Sequence, residues 1–124
     1  MENFYLDGTT KTPKLSLNPQ TGKFMMSGRS IPENSIEFYK PLFEWLDEYV
    51  KNPSAQTSFD IQLEYFNTSS SKCLVEIFRR LEKIKDNDTV VNWFYEEDDE
   101  DMQESGEDFK EIIDLKIVMS MIES

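Results

Sequence analysis

The stretch Asn67-Thr68-Ser69-Ser70-Ser71 is the densest group of side chains in this sequence that could carry chemistry. Each of these types can accept a backbone N–H left over at a helix start, and Asn, Ser and Thr are preferred there for that reason. One cap needs one such residue, so the run holds more hydroxyls than capping uses. The spare hydroxyls could be modified, but no histidine is present to activate them as nucleophiles. With no histidine, Ser–His–Asp and Cys–His arrangements and histidine-ligated metals are excluded. Cys73, beside Leu74, reads as a small packed hydrophobe. The four glycines, Gly8, Gly22, Gly28 and Gly106, are scattered and form no phosphate-cradling loop.

Carboxylates are abundant but fall into no catalytic frame, so a hydrolase is disfavoured. The segment from Glu96 to Asp108 fails as a calcium loop. Counted from Asp99, Asp101 fits the third place, but Gln103 and Glu104 stand at the fifth and sixth, where a ligand and a glycine are needed. A solvated charge run is the better reading. No catalytic, cofactor-binding or metal-ligating residue is expected.

The elements that would position the hydroxyl run follow from periodicity. Phe59, Ile61, Leu63 and Tyr65 alternate with Asp60, Gln62 and Glu64, a strand with one buried and one polar face. Behind the run, Leu74, Ile77, Phe78, Leu81 and Ile84 mark a helix. An earlier helix starts at Pro32-Glu33-Asn34-Ser35, with Asn34 as cap and Glu37 placed to reach back to its N–H. Tyr39, Leu42, Phe43, Leu46 and Val50 form its stripe, and Pro41 predicts a kink or the start of its regular part. Asn52-Pro53-Ser54 stops it.

Upstream, Leu15 and Leu17, then Phe24 and Met26, alternate on either side of Asn18-Pro19-Gln20-Thr21-Gly22, a β-hairpin with turn chemistry. Phe4-Tyr5-Leu6 suggests a short strand before it. Downstream come a turn at Asp86-Asn87-Asp88 and a strand over Thr89–Tyr95. A third helix anchored by Phe109, Ile112 and Ile113 and a last strand from Leu115 to Met121 complete the chain. Alternating helices and strands predict parallel crossover units, with antiparallel pairing in the opening hairpin. The polar positions Asp60, Gln62 and Glu64 argue against helices covering both sheet faces. The expected fold is a single α/β domain over residues 1–124, a mixed sheet with an N-terminal hairpin and three helices mainly on one face.

Composition narrows the partners. The 25 Asp and Glu against 13 Lys and Arg give a formal charge of −12, which disfavours nucleic acid and anionic membrane surfaces. One cysteine permits no internal disulfide, no apolar stretch reaches membrane-span length and no secretory signal opens the chain. A cytoplasmic protein with protein partners is expected.

The strand, hydroxyl-rich turn and helix from Ser58 to Ile84 resemble the STAS domains of anti-sigma-factor antagonists. Two stretches are more closely similar to the SiaC family of bacterial regulatory phosphoproteins. One is Pro32-Glu33-Asn34-Ser35 with the Phe38-Tyr39 and Trp45-Leu46 aromatics, and the other is Tyr65-Phe66-Asn67-Thr68-Ser69-Ser70-Ser71-Lys72. The acidic segment 96–108 departs from the family pattern. The resemblance implies that Thr68 is the phosphoacceptor, acted on by a dedicated protein kinase and a PP2C-type phosphatase. It also implies that the unmodified protein binds and stimulates a diguanylate cyclase, in cyclic-di-GMP and biofilm control, without enzymatic activity of its own.

Asn67, Ser69, Ser70, Ser71 and Lys72, with Glu33 and Asn34, are the expected partner-binding residues. Each has a purely structural alternative, since caps alone explain the Asn and Ser positions. A phosphate at a helix N-terminus is electrostatically acceptable, by about 0.3–1 kcal/mol at an exposed site, and Lys72 could pair with it. A switch is therefore expected to act on a docking surface rather than on the fold. The rival expectation is a non-switched structural module that forms a homo-oligomer through the open sheet face.

Overall fold

The structure is a computed structural model and describes residues 1–84 and 88–123. In chain order the elements are β1 (Phe4–Leu6), β2 (Lys14–Asn18), β3 (Lys23–Ser30), α1 (Ser35–Tyr49), β4 (Gln56–Phe66), α2 (Thr68–Leu81), β5 (Asp88–Glu96), α3 (Glu100–Ile112) and β6 (Lys116–Ile122). The strands form one sheet in the order β1-β2-β3-β4-β5-β6. Pairing is antiparallel through β1, β2 and β3 and parallel from β3 onward. The mixed α/β class and the opening hairpin expected from the sequence are present.

The hairpin turn is built by Asn18, whose Oδ1 accepts from Gln20 N at 2.9 Å and Thr21 N at 3.3 Å. Gly22 follows at φ +72, a conformation that side-chain-bearing residues rarely adopt. Each later connection is a crossover to the adjacent parallel strand in the same direction. Right-handed crossovers of that kind put α1, α2 and α3 on one face. Burial agrees: Leu15, Leu17, Phe24, Met26, Phe59, Ile61, Val91 and Trp93 point into the core with Tyr39, Leu46, Leu74 and Phe78 of the helices. Met25, Asp60, Gln62, Asn92, Phe94 and Val118 belong to the other face, where Asn92 Nδ2 donates to Asp60 Oδ1 at 2.7 Å.

Several local expectations are corrected. Helix α1 starts at Ser35, and Phe38 N donates to Asn34 O at 3.0 Å, so its regular part begins before Pro41 and runs through it. The Glu37 carboxylate accepts from the Asn34 side-chain amide at 3.3 Å rather than from the backbone N–H. Ile112 is 54% exposed because the helix ends there and Ile113, already extended, turns inward in its place. The turn expected at Asp86 and Asn87 lies outside the described residues, and Asp88 already belongs to β5.

The correction that matters most is at Tyr65, expected on the buried face and found 57% exposed. Pairing between β3 and β4 steps from Gly28↔Leu63 to Arg29↔Tyr65, leaving Glu64 without an opposite residue. Such a bulge shifts every later side chain to the other face. Phe66 therefore packs inward, with ring centroids 6.0 Å from Trp93 and 6.3 Å from Phe109, and Tyr65 turns outward. Gly28 adopts φ +104 at this point; the nearest atom to an added Cβ would be 3.9 Å away, so backbone conformation rather than space requires glycine.

Candidate docking site

The first turns of all three helices follow directly from the carboxyl ends of parallel strands, so they gather at one end of the sheet. Each has a side-chain cap: Asn34 Oδ1 accepts from Glu37 N at 3.1 Å, Asn67 Oδ1 from Ser70 N at 2.9 Å and Asp99 Oδ1 from Met102 N at 3.0 Å. In the hydroxyl run, capping thus falls to Asn67 and leaves the hydroxyls free of that task.

The remaining hydroxyls separate by environment. Ser70 is fully buried; its Oγ donates to Ser30 O at 2.9 Å and lies 2.8 Å from Ser30 Oγ. Ser30 Oγ also meets the Tyr39 hydroxyl. Ser69 Oγ lies 2.7 Å from Ser35 Oγ and 3.2 Å from Asn67 Oδ1. Ser71 is half-buried, whereas Thr68 is exposed and its hydroxyl has no hydrogen-bond partner among the described residues. Lys72 is exposed one turn further on, and Glu33 is exposed ahead of the Asn34 cap.

The Ser35–Ser69 contact joins the two motifs singled out in the sequence, because it sets the start of α1 beside the start of α2. Sequence reasoning did not find Ser30, Ser35 and Tyr39 as members of one buried hydroxyl chain. Ser30 ends β3 while Ser35 and Tyr39 lie on α1, and each looks locally like a surface or core residue.

Burial pushes the Tyr39 hydroxyl pKa up to about 12, an effect the Ser30 hydrogen bond opposes and the nearby Cys73 reinforces. The Cys73 thiol is also raised, first by burial and then by the Glu76 carboxylate, which keeps it protonated. Among the described residues no group of His, Cys, Asp and Glu side chains is arranged to hold a metal ion. None of the described helices is long and apolar enough to cross a membrane.

A six-stranded mixed sheet with its helices on one face, carrying a capped and hydroxyl-rich helix start at its carboxyl end, defines a small α/β protein with a candidate docking face. The chain belongs to the SiaC family of regulatory phosphoproteins, which it matches over residues 6–122. That match includes residues 96–108. It is 31% identical over 113 residues to an uncharacterized protein of Pseudomonas aeruginosa (strain UCBPP-PA14), 90% of either chain. The crystal structure of apo-SiaC from Pseudomonas aeruginosa is similar with a TM-score of 0.86 at 28% identity, covering 97% of this chain and 99% of that one. A chain in the crystal structure of the diguanylate cyclase SiaD in complex with its activator SiaC, from the same organism, gives a TM-score of 0.88 at 27% identity, covering 96% and 99%.

Proposed function

We propose that this protein is a non-enzymatic, cytoplasmic regulator that docks onto a diguanylate cyclase and is switched by phosphorylation of Thr68. The observation that carries this reading is the sorting of the hydroxyl run. Asn67 does the capping, Ser69 and Ser70 are engaged with Ser35 and Ser30, Ser71 is half-buried, and Thr68 combines an exposed position with a hydroxyl that has no partner among the described residues. Asn67, Ser69, Ser70, Ser71, Lys72, Glu33 and Asn34 form or support the surface around it. A protein kinase and a PP2C-type phosphatase would set its state.

Phosphothreonine adds about −1.5 to −2 charges. At a helix N-terminus the fold tolerates that charge. Carried into a desolvated interface without a partner cation, the same charge costs several kcal/mol, and each ~1.4 kcal/mol is a tenfold loss of affinity. The switch thus lies in docking, and the unmodified protein is the binding form.

The test pairs mass and affinity. Incubation with the cognate kinase is expected to add one phosphate at Thr68 and none to a Thr68→Val variant. Calorimetric titration with the source organism's diguanylate cyclase should show binding by the unmodified protein and loss by the phosphorylated form. A phosphate on Ser71 instead, or unchanged affinity after modification of Thr68, would sink the reading.

A further inference from the structure

The two most exposed large apolar side chains among the described residues lie on the chain segments that meet at the start of α2. Ile36, 72% exposed, follows Ser35, whose hydroxyl touches Ser69. Tyr65, 57% exposed, stands three residues before Thr68, a chain span of at most about 11 Å. Neither position follows from packing. Ile36 occupies the first turn of α1, where a polar residue would serve as well, and Tyr65 is turned outward by the bulge that leaves Glu64 unpaired between Gly28↔Leu63 and Arg29↔Tyr65.

Tyr65 also borders a cleft of about 200 Å³ lined by Glu64, Phe66, Asp99, Asp101 and Met102. Glu64, Asp99 and Asp101 form no salt bridge among the described residues. An aromatic ring beside carboxylates that carry no salt bridge suits an arginine or lysine, which ring and acids attract together.

We propose that Ile36 and Tyr65 are the two anchors of the docking surface, and that its occupant is a segment of the diguanylate cyclase. That segment covers Ile36 with an apolar side chain and lays an arginine or lysine on Tyr65 in the acidic cleft. The inference rests on the docking function proposed above. It supplies what that reading lacks, the groups that generate affinity, since interface energy concentrates in a few central aromatic and aliphatic side chains. Thr68 follows Tyr65 by three residues and its neighbour Ser69 touches Ser35 beside Ile36, so a phosphate on Thr68 falls within the docking surface.

The experiment titrates the diguanylate cyclase of the source organism with the full chain and four variants. Ile36→Ser and Tyr65→Ser are each expected to weaken binding about tenfold or more, and Tyr65→Phe to stay within about threefold. Ile112→Ser, which removes an apolar group 54% exposed at the far end of α3, should bind like wild type. Because all these side chains are exposed, circular dichroism and urea midpoints should be unchanged.

Binding of both Ser variants within twofold of wild type, or an equal loss in Ile112→Ser, overturns the anchors. If phosphorylation of Thr68 still abolishes binding in that case, the proposed function survives and only this inference falls. A wild-type chain that does not bind the cyclase overturns both.

Discussion

The Oγ atoms of Ser35 and Ser69 lie 2.7 Å apart and tie the first turn of α1 to the first turn of α2. Both helix starts are thereby held side by side, with Glu33, Asn34 and Ile36 next to Ser35 and Thr68 and Lys72 next to Ser69 along the chain. The buried chain of Ser70, Ser30 and Tyr39 underneath fixes that arrangement to β3.

Ser70→Ala should destabilise the protein by about 1 kcal/mol, because the buried Oγ that donates to Ser30 O is lost while Ser30 O keeps Asn67 N and Ser30 Oγ keeps the Tyr39 hydroxyl. Ser71→Ala, at a half-buried position one residue on, should change stability by no more than about 0.5 kcal/mol. Urea unfolding followed by circular dichroism measures both.

Gly28→Ala should cost about 1–3 kcal/mol, since φ +104 is strained for any residue with a Cβ. If the strand relaxes by losing the bulge, the amide resonances of Arg29, Glu64 and Tyr65 should move while those of Ile112 and Lys110 do not. A wild-type spectrum and stability in this variant would show that the bulge does not depend on Gly28.

Gly106→Ala offers helix propensity of up to about 1 kcal/mol, yet it should still destabilise by about 1–2 kcal/mol. The new Cβ would lie 2.5 Å from Trp93 Cδ1 and 2.7 Å from Met119 Cε. Met119 can swing aside, but Trp93 is buried and its Nε1 donates to Met102 O at 2.9 Å. Thermal unfolding of Gly106→Ala alone and with Met119→Ala tests this, because the double variant should recover only part of the loss.

Tyr39 should impose an alkaline limit on stability. Its hydroxyl titrates at about 12 when folded and near 10 when unfolded. Between those values the unfolded chain has lost the proton that the folded chain keeps, so unfolding becomes easier as pH rises. The contribution is intact below about pH 10 and shrinks by roughly 2–3 kcal/mol by about pH 12. Urea midpoints of wild type and Tyr39→Phe across pH 8–11 should converge as pH rises.

Much of this architecture is legible because its causes are local. The hairpin follows from a two-residue period around Asn18 and Gly22, and α1 and α2 from Asn34 and Asn67 ahead of apolar stripes. What escaped has causes elsewhere in the chain. Alternation through Leu63 and Tyr65 reads as unbroken because the bulge is set by the backbone of Gly28 on the neighbouring strand. Gly106 looks like a stray glycine until Trp93 and Met119 are seen against it. Ile112 keeps helical spacing, but the chain straightens at Ile113 before that spacing can bury it. At the site, the run of hydroxyls was visible, yet which of them is spare depends on Ser30 and Ser35, on other elements.

The strand order has a consequence for how the molecule is made. Every strand after the first pairs with the one synthesised just before it, so a chain leaving the ribosome always finds its next ladder already laid down. No strand must wait for a later one to be inserted between it and its neighbour. The corner formed by α1 and α2 is complete in sequence by Leu81, with α3 and the last two strands still to come. The α1–α2 side of the surface that partners are proposed to read is thus specified by the first two-thirds of the chain, and the acidic side of the cleft, Asp99 and Asp101, arrives later with the start of α3.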